Sequence, residues 1–158
     1  MIDRLLGFLT GAAAPQVAES DGLELAVAAL LIEAGRMDDR LDRAERETIE
    51  RLLERRFALA PEAVRELVAA AEQRVAQSAQ YYPFVREINT RLSGEERAGI
   101  VEMLWRVAYA DGVLDPHEDA LLRQIAGLIH VPDRDRGLAR QRALEEIAKE
   151  RAEPGKET

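Results

Sequence analysis

Asp111-Gly-Val-Leu-Asp-Pro-His-Glu118 repeats an earlier stretch of the chain, Asp38-Asp-Arg-Leu-Asp-Arg-Ala-Glu45. Identities fall at Asp38/Asp111, Leu41/Leu114, Asp42/Asp115 and Glu45/Glu118, all at one offset. The same offset pairs apolar residues before the turn: Val27/Ile100, Leu30/Met103, Leu31/Leu104 and Ala34/Val107. It also pairs Ile49/Leu122 and Leu52/Ile125 after it. These spacings of three and four are the period of a helix with one buried stripe. Agreement on both flanks predicts two copies of a helix–acidic turn–helix unit. Two such hairpins packed face to face would bury their stripes in one core. The expected fold class is therefore all-α, a single-domain helical bundle built from two related halves.

Composition points the same way. The chain has 158 residues, enough to bury a core without disulfides or a structural metal. Its hydrophobic share of 47% leans on Ala and Leu, and aromatics supply only 4%. Ala, Leu, Glu and Arg favour helices, and strand-length runs of Val, Ile and Thr are missing. With 22 basic and 30 acidic side chains the formal charge is −8, which disfavours phosphate backbones. Nucleic acid is not an expected partner. The lack of cysteine excludes thiolate metal sites and disulfides and fits a reducing cytoplasm. The longest apolar stretch, Leu25 to Ile32, is far shorter than the ~20 residues of a membrane span.

Residues 1–19 read as an N-terminal amphipathic segment, through Ile2, Leu5, Leu6 and Leu9, followed by a linker containing Gly11-Ala-Ala-Ala-Pro15. The segment is expected to dock on the domain. A helix this short, with little basic charge, supports at most peripheral membrane association. Residues 20–150 form the helical domain, and 151–158 a flexible charged tail. Within the domain, helices are expected from Ser20 or Asp21 to Gly35, Asp42 to Phe57, and Pro61 to about Ala79. Others follow over Pro83–Arg91, from a capping box at Ser93-Gly94-Glu95-Glu96 to about Ala110, over Asp115 to about His130, and over Asp133–Lys149.

Two readings of the acidic turns stand side by side. Asp42 and Asp115 suit helix N-caps, with Glu45 and Glu118 three residues on, so capping alone accounts for both pairs. It does not account for Asp38 and Asp111, four residues earlier. Clustered Asp and Glu around a tight turn offer hard oxygen ligands for Ca²⁺ or Mg²⁺, weakly bound. The spacing is not that of an EF-hand. Counted from Asp111, Pro116 stands where that loop has Gly and Leu122 where it has Glu; the first copy has Arg43 and Ile49 there. Arg36, Arg40, Arg43 and Arg46 are expected to neutralise the first turn by ion pairing. The second has no basic residue between Arg106 and Arg123, adds Asp119, and is the better candidate on sequence.

No catalytic constellation accompanies the turns. His117 and His130 lack zinc-ligand spacing, and no nucleophile elbow or phosphate loop is present, so no enzymatic activity is expected. Trp105, Tyr109, Tyr81 and Tyr82 are expected to pack at helix contacts.

Asp111-Gly112, Leu114-Asp115 and Glu118 carry a family resemblance, with an echo in Asp38, Leu41-Asp42 and Glu45. Trp105-Arg-Val-Ala-Tyr-Ala110 before the second turn adds to it. Over residues 20–150 the chain resembles the TerB-like family, named for tellurite resistance proteins. The resemblance implies an all-α fold with two related halves, and acidic patches that bind divalent metal ions. Carried over, the metal candidates are Asp111, Asp115 and Glu118, then Asp38, Asp42 and Glu45. It further implies a tellurite or chemical-stress response role with protein partners, in the cytoplasm or at the inner face of the membrane. The same fold resembles the N-terminal part of membrane-anchored J-domain co-chaperones. His130-Val-Pro-Asp133 is not their His-Pro-Asp signature, because Val131 intervenes. The expected function is a non-enzymatic, cation-binding module that works by contacting other proteins. The alternative is a helical interaction or scaffold domain whose acidic turns are only caps.

Overall fold

A computed structural model describes residues 19–36, 41–77, 82–110, 112 and 116–152. Seven helices occur among them: α1 (Glu19–Gly35), α2 (Arg43–Phe57), α3 (Pro61–Gln77), α4 (Tyr82–Arg91), α5 (Gly94–Ala108), α6 (Pro116–Leu128) and α7 (Asp133–Ala152). No described residue is in a strand, and the chain is all-α. The expected N-terminal amphipathic segment lies outside the described residues.

α1 is the axis of the bundle. It packs against α2, α3, α4, α5 and α6, and α5 packs in turn against α2, α6 and α7. Such a position demands a helix apolar on every side. Residues 26–32 of α1 are all buried, where one apolar stripe was expected. The wider burial follows from its five neighbours. The twelve apolar residues that the repeat pairs on the flanks of the turns are all buried, from Val27 and Ile100 to Leu52 and Ile125. The repeat therefore marks core positions accurately.

Helix ends show how local chemistry sets the boundaries. Ser93 accepts from the Glu96 N–H at 3.2 Å, and the Ser93 N–H donates to Glu96 Oε1 at 3.0 Å, completing the expected capping box. Ser93→Ala is expected to cost about 1 kcal/mol in urea denaturation. A loss below a few tenths would mean that water replaces the cap. Ser20 and Asp21, expected as caps, lie inside the first described turn of α1, because Glu19 is already helical. α6 ends in a Schellman arrangement: Val131 N–H donates to the Ala126 carbonyl at 2.9 Å and His130 N–H to that of Gly127 at 3.1 Å. His130, with φ 58°, takes the left-handed position usually given to glycine.

Gly35 has a different role. It ends α1 as expected, but its importance is space. A Cβ there would lie 2.9 Å from Leu41 Cδ2, 3.0 Å from Val107 Cγ1 and 3.1 Å from Glu45 Oε2. The last turn of α1 thus presses directly on the start of α2 and the end of α5.

Candidate metal centre

Asp42 is the N-cap of α2. Its Oδ1 accepts from the Glu45 N–H at 2.8 Å, and the Asp42 N–H donates back to Glu45 Oε1 at 3.4 Å. The capping reading of the first turn is thus realised in full. In the second copy, Pro116 opens α6 and puts Glu118 in its first turn. Asp38, Asp111 and Asp115 lie outside the described residues, so of the six candidates the structure describes Asp42, Glu45 and Glu118.

Glu45 and Glu118 are the unexpected part. First-turn glutamates that only cap usually remain in water, yet Glu45 is 7% exposed and Glu118 5%. Burial pushes the Glu45 carboxyl up to about 8, with the Asp42 carboxylate beside it and the charge of Glu118 acting in the same direction. The matched glutamates of the two copies therefore feel each other across the interior. Glu45 Oε2 faces the space that a side chain on Gly35 would fill, beside Val107 on α5. The repeat offset pairs Gly35 with Ala108. That pair of small residues was the legible hint that backbone closes over the turns.

Two members of the expected arginine screen, Arg43 and Arg46, turn away from the first turn. Arg43 pairs with Glu47 at 3.0 Å on the exposed face of α2, and Arg46 with Glu72 of α3 at 2.8 Å. Helical spacing and the neighbouring helix draw them away. The second turn gains a base from far along the chain instead. Arg151 Nη2 lies 3.4 Å from where a Cβ on Gly112 would stand. Arg151 belongs to the final turn of α7, so no local reading of the second turn could include it. Arg151 thus adds a basic group near the second turn, which on sequence had none.

The donor set suits a hard divalent cation. A positive charge beside Glu45 would offset the cost of ionising it, and carboxylate oxygens are the ligands Ca²⁺ and Mg²⁺ prefer. Among the described residues no group of three or more Asp, Glu, His or Cys could hold a metal by itself. A complete ligand set would need the aspartates of the turns.

The geometry defines a class: an all-helical module with a buried glutamate in the first turn of each of two helices, α2 and α6. A family model described as "Tellurite resistance protein TerB" matches residues 24–141, and the chain belongs to that family. No curated protein and no solved structure matches the chain. Among the described residues, no helix is long and apolar enough to cross a membrane.

Proposed function

We propose that this TerB-family chain is a non-enzymatic module that binds Ca²⁺ or Mg²⁺ weakly at its acidic turns and acts by contacting other proteins. The family description supports a role in tellurite or chemical-stress responses. The observation that carries the cation reading is the burial of Glu45 together with Glu118, whose charge adds to the cost of ionising Glu45. Capping explains why a glutamate stands at each position. It does not explain why both are buried. Glu45 and Glu118 would hold the ion together with Asp38, Asp42, Asp111 and Asp115. The ion would supply the charge that lets both carboxyls ionise, tying the start of α2 to the start of α6.

The second reading, a scaffold domain whose turns are only caps, is favoured by the complete capping box of Asp42 and Glu45. Calorimetric titration with Ca²⁺, Mg²⁺ and Zn²⁺ separates the two, using wild type and Asp111→Asn, because Asp111 is acidic without being a cap. Binding in wild type that weakens about tenfold or more in Asp111→Asn is the expected outcome. Neither heat nor thermal shift at millimolar ion leaves only the scaffold reading. Binding unchanged in Asp111→Asn would put the ion elsewhere.

A further inference from the structure

α2, α5 and α7 border a partly open cavity of about 220 Å³ with an unusual lining for an acidic protein. Arg51 of α2, Arg106 of α5 and Arg151 of α7 all border it, against a single carboxylate, Glu150. Glu150 is already committed, being paired with Arg106. The cavity thus carries a local excess of positive charge in a chain of formal charge −8. We propose that it binds a small oxyanion carrying two negative charges, as the free ion or as the phosphoryl group of a larger molecule.

The donors fit that chemistry. The Arg106 side chain is only 10% exposed, and its buried Nε has no hydrogen-bond acceptor among the described residues. It forms a fixed positive wall, since the Glu150 pair holds its far end. Arg51 makes one long contact, 3.4 Å to Thr48 Oγ1, and that hydroxyl is itself bound to the Ala44 carbonyl at 2.9 Å. Arg151 forms no ion pair among the described residues and leans towards Gly112. Tyr109 also lines the cavity. Its hydroxyl accepts from Arg140 Nη2 at 2.9 Å and so retains its own proton to donate.

Charge-assisted bonds from guanidinium groups are among the strongest available to an anion, and Arg forks match oxygen pairs of phosphate or sulfate. Donors on three different helices suit a ligand with three terminal oxygens better than a planar carboxylate. Surface arginines on a negative protein usually find carboxylates on the same face. Here a single carboxylate stands among three guanidinium groups, and about 220 Å³ accommodates a hydrated small ion or a phosphoryl group with part of the molecule that carries it.

Calorimetry and thermal unfolding of the full chain, in EDTA, test this with inorganic phosphate and O-phosphoserine against sodium chloride of equal ionic strength. EDTA keeps the result independent of the cation reading. Both phosphoryl probes are expected to bind and to raise the melting temperature beyond the chloride control. Tighter binding of inorganic phosphate would identify the free ion, and tighter binding of O-phosphoserine a phosphoryl group on a larger molecule. In the double variant Arg51→Gln/Arg151→Gln, phosphate affinity should fall about tenfold or more, the loss of charge-assisted bonds. Both positions are exposed, so folding should persist, and circular dichroism verifies it. Arg123→Gln, which removes only a surface pair with Asp119, should bind phosphate like wild type. Equal responses to phosphate and chloride in wild type would overturn the proposal. So would phosphate affinity unchanged in the double variant.

Discussion

Trp105→Ala is expected to lower unfolding free energy by about 3–5 kcal/mol, the largest loss from any single substitution considered. Trp105 is 2% exposed and stacks on Tyr109, with ring centroids 5.9 Å apart and planes inclined by 26°. The Arg140 guanidinium lies 5.3 Å from the Trp105 ring centroid, and Arg140 also donates to the Tyr109 hydroxyl. Truncation removes a large apolar surface and the platform that holds α7 against the end of α5. Trp105→Phe retains part of that surface and should lose less. Urea denaturation measures both. A loss under about 1 kcal/mol for the alanine variant would mean that the ring is not packed as described.

The second large effect is a dependence on pH. Glu45 holds its proton up to about 8 in the folded chain, whereas the ordinary value is 4.5. Between those values the unfolded chain releases a proton that the folded chain retains, so rising pH favours unfolding. Stability should be fullest below about pH 4.5 as far as this group is concerned, fall through the window, and level off above about pH 8. Glu45→Gln keeps an oxygen for the Asp42 N–H but has nothing to ionise. Thermal unfolding should show the slope much flattened in this variant, with a melting temperature several degrees above wild type near pH 8.5. Glu33 is also raised by burial, with Arg36 opposing, and contributes a part of the slope that the substitution leaves in place. Equal slopes in the two proteins would show that Glu45 ionises normally.

The fold was readable from the chain because the repeat constrains both sides of each turn. Val27, Leu30, Leu31 and Ala34, matched with Ile100, Met103, Leu104 and Val107, specified faces that the structure buries without exception. Ser93 and Asp42 were legible as caps because capping depends on residues only three apart. What escaped depends on chain segments far apart in sequence. Arg46 turns to Glu72, and Arg151 arrives beside Gly112 from the last helix. Neither could be inferred from the turns themselves, where adjacency suggested one screened site and one open site. The burial of Glu45 and Glu118 was hidden for a related reason. An N3 glutamate satisfies a local rule, and that sufficient local explanation conceals the tertiary one. The influence of Glu118 on Glu45 also depends on tertiary packing, with α1 set against α2, α5 and α6.

The most direct test of the account is a pH titration of the Glu45 carboxyl carbon by nuclear magnetic resonance, with and without Ca²⁺ or Mg²⁺. A midpoint near 8 is expected in the metal-free protein, moving down when the ion binds and displaces the proton. A midpoint in the ordinary range near 4.5 without metal, unmoved by either ion, would contradict it.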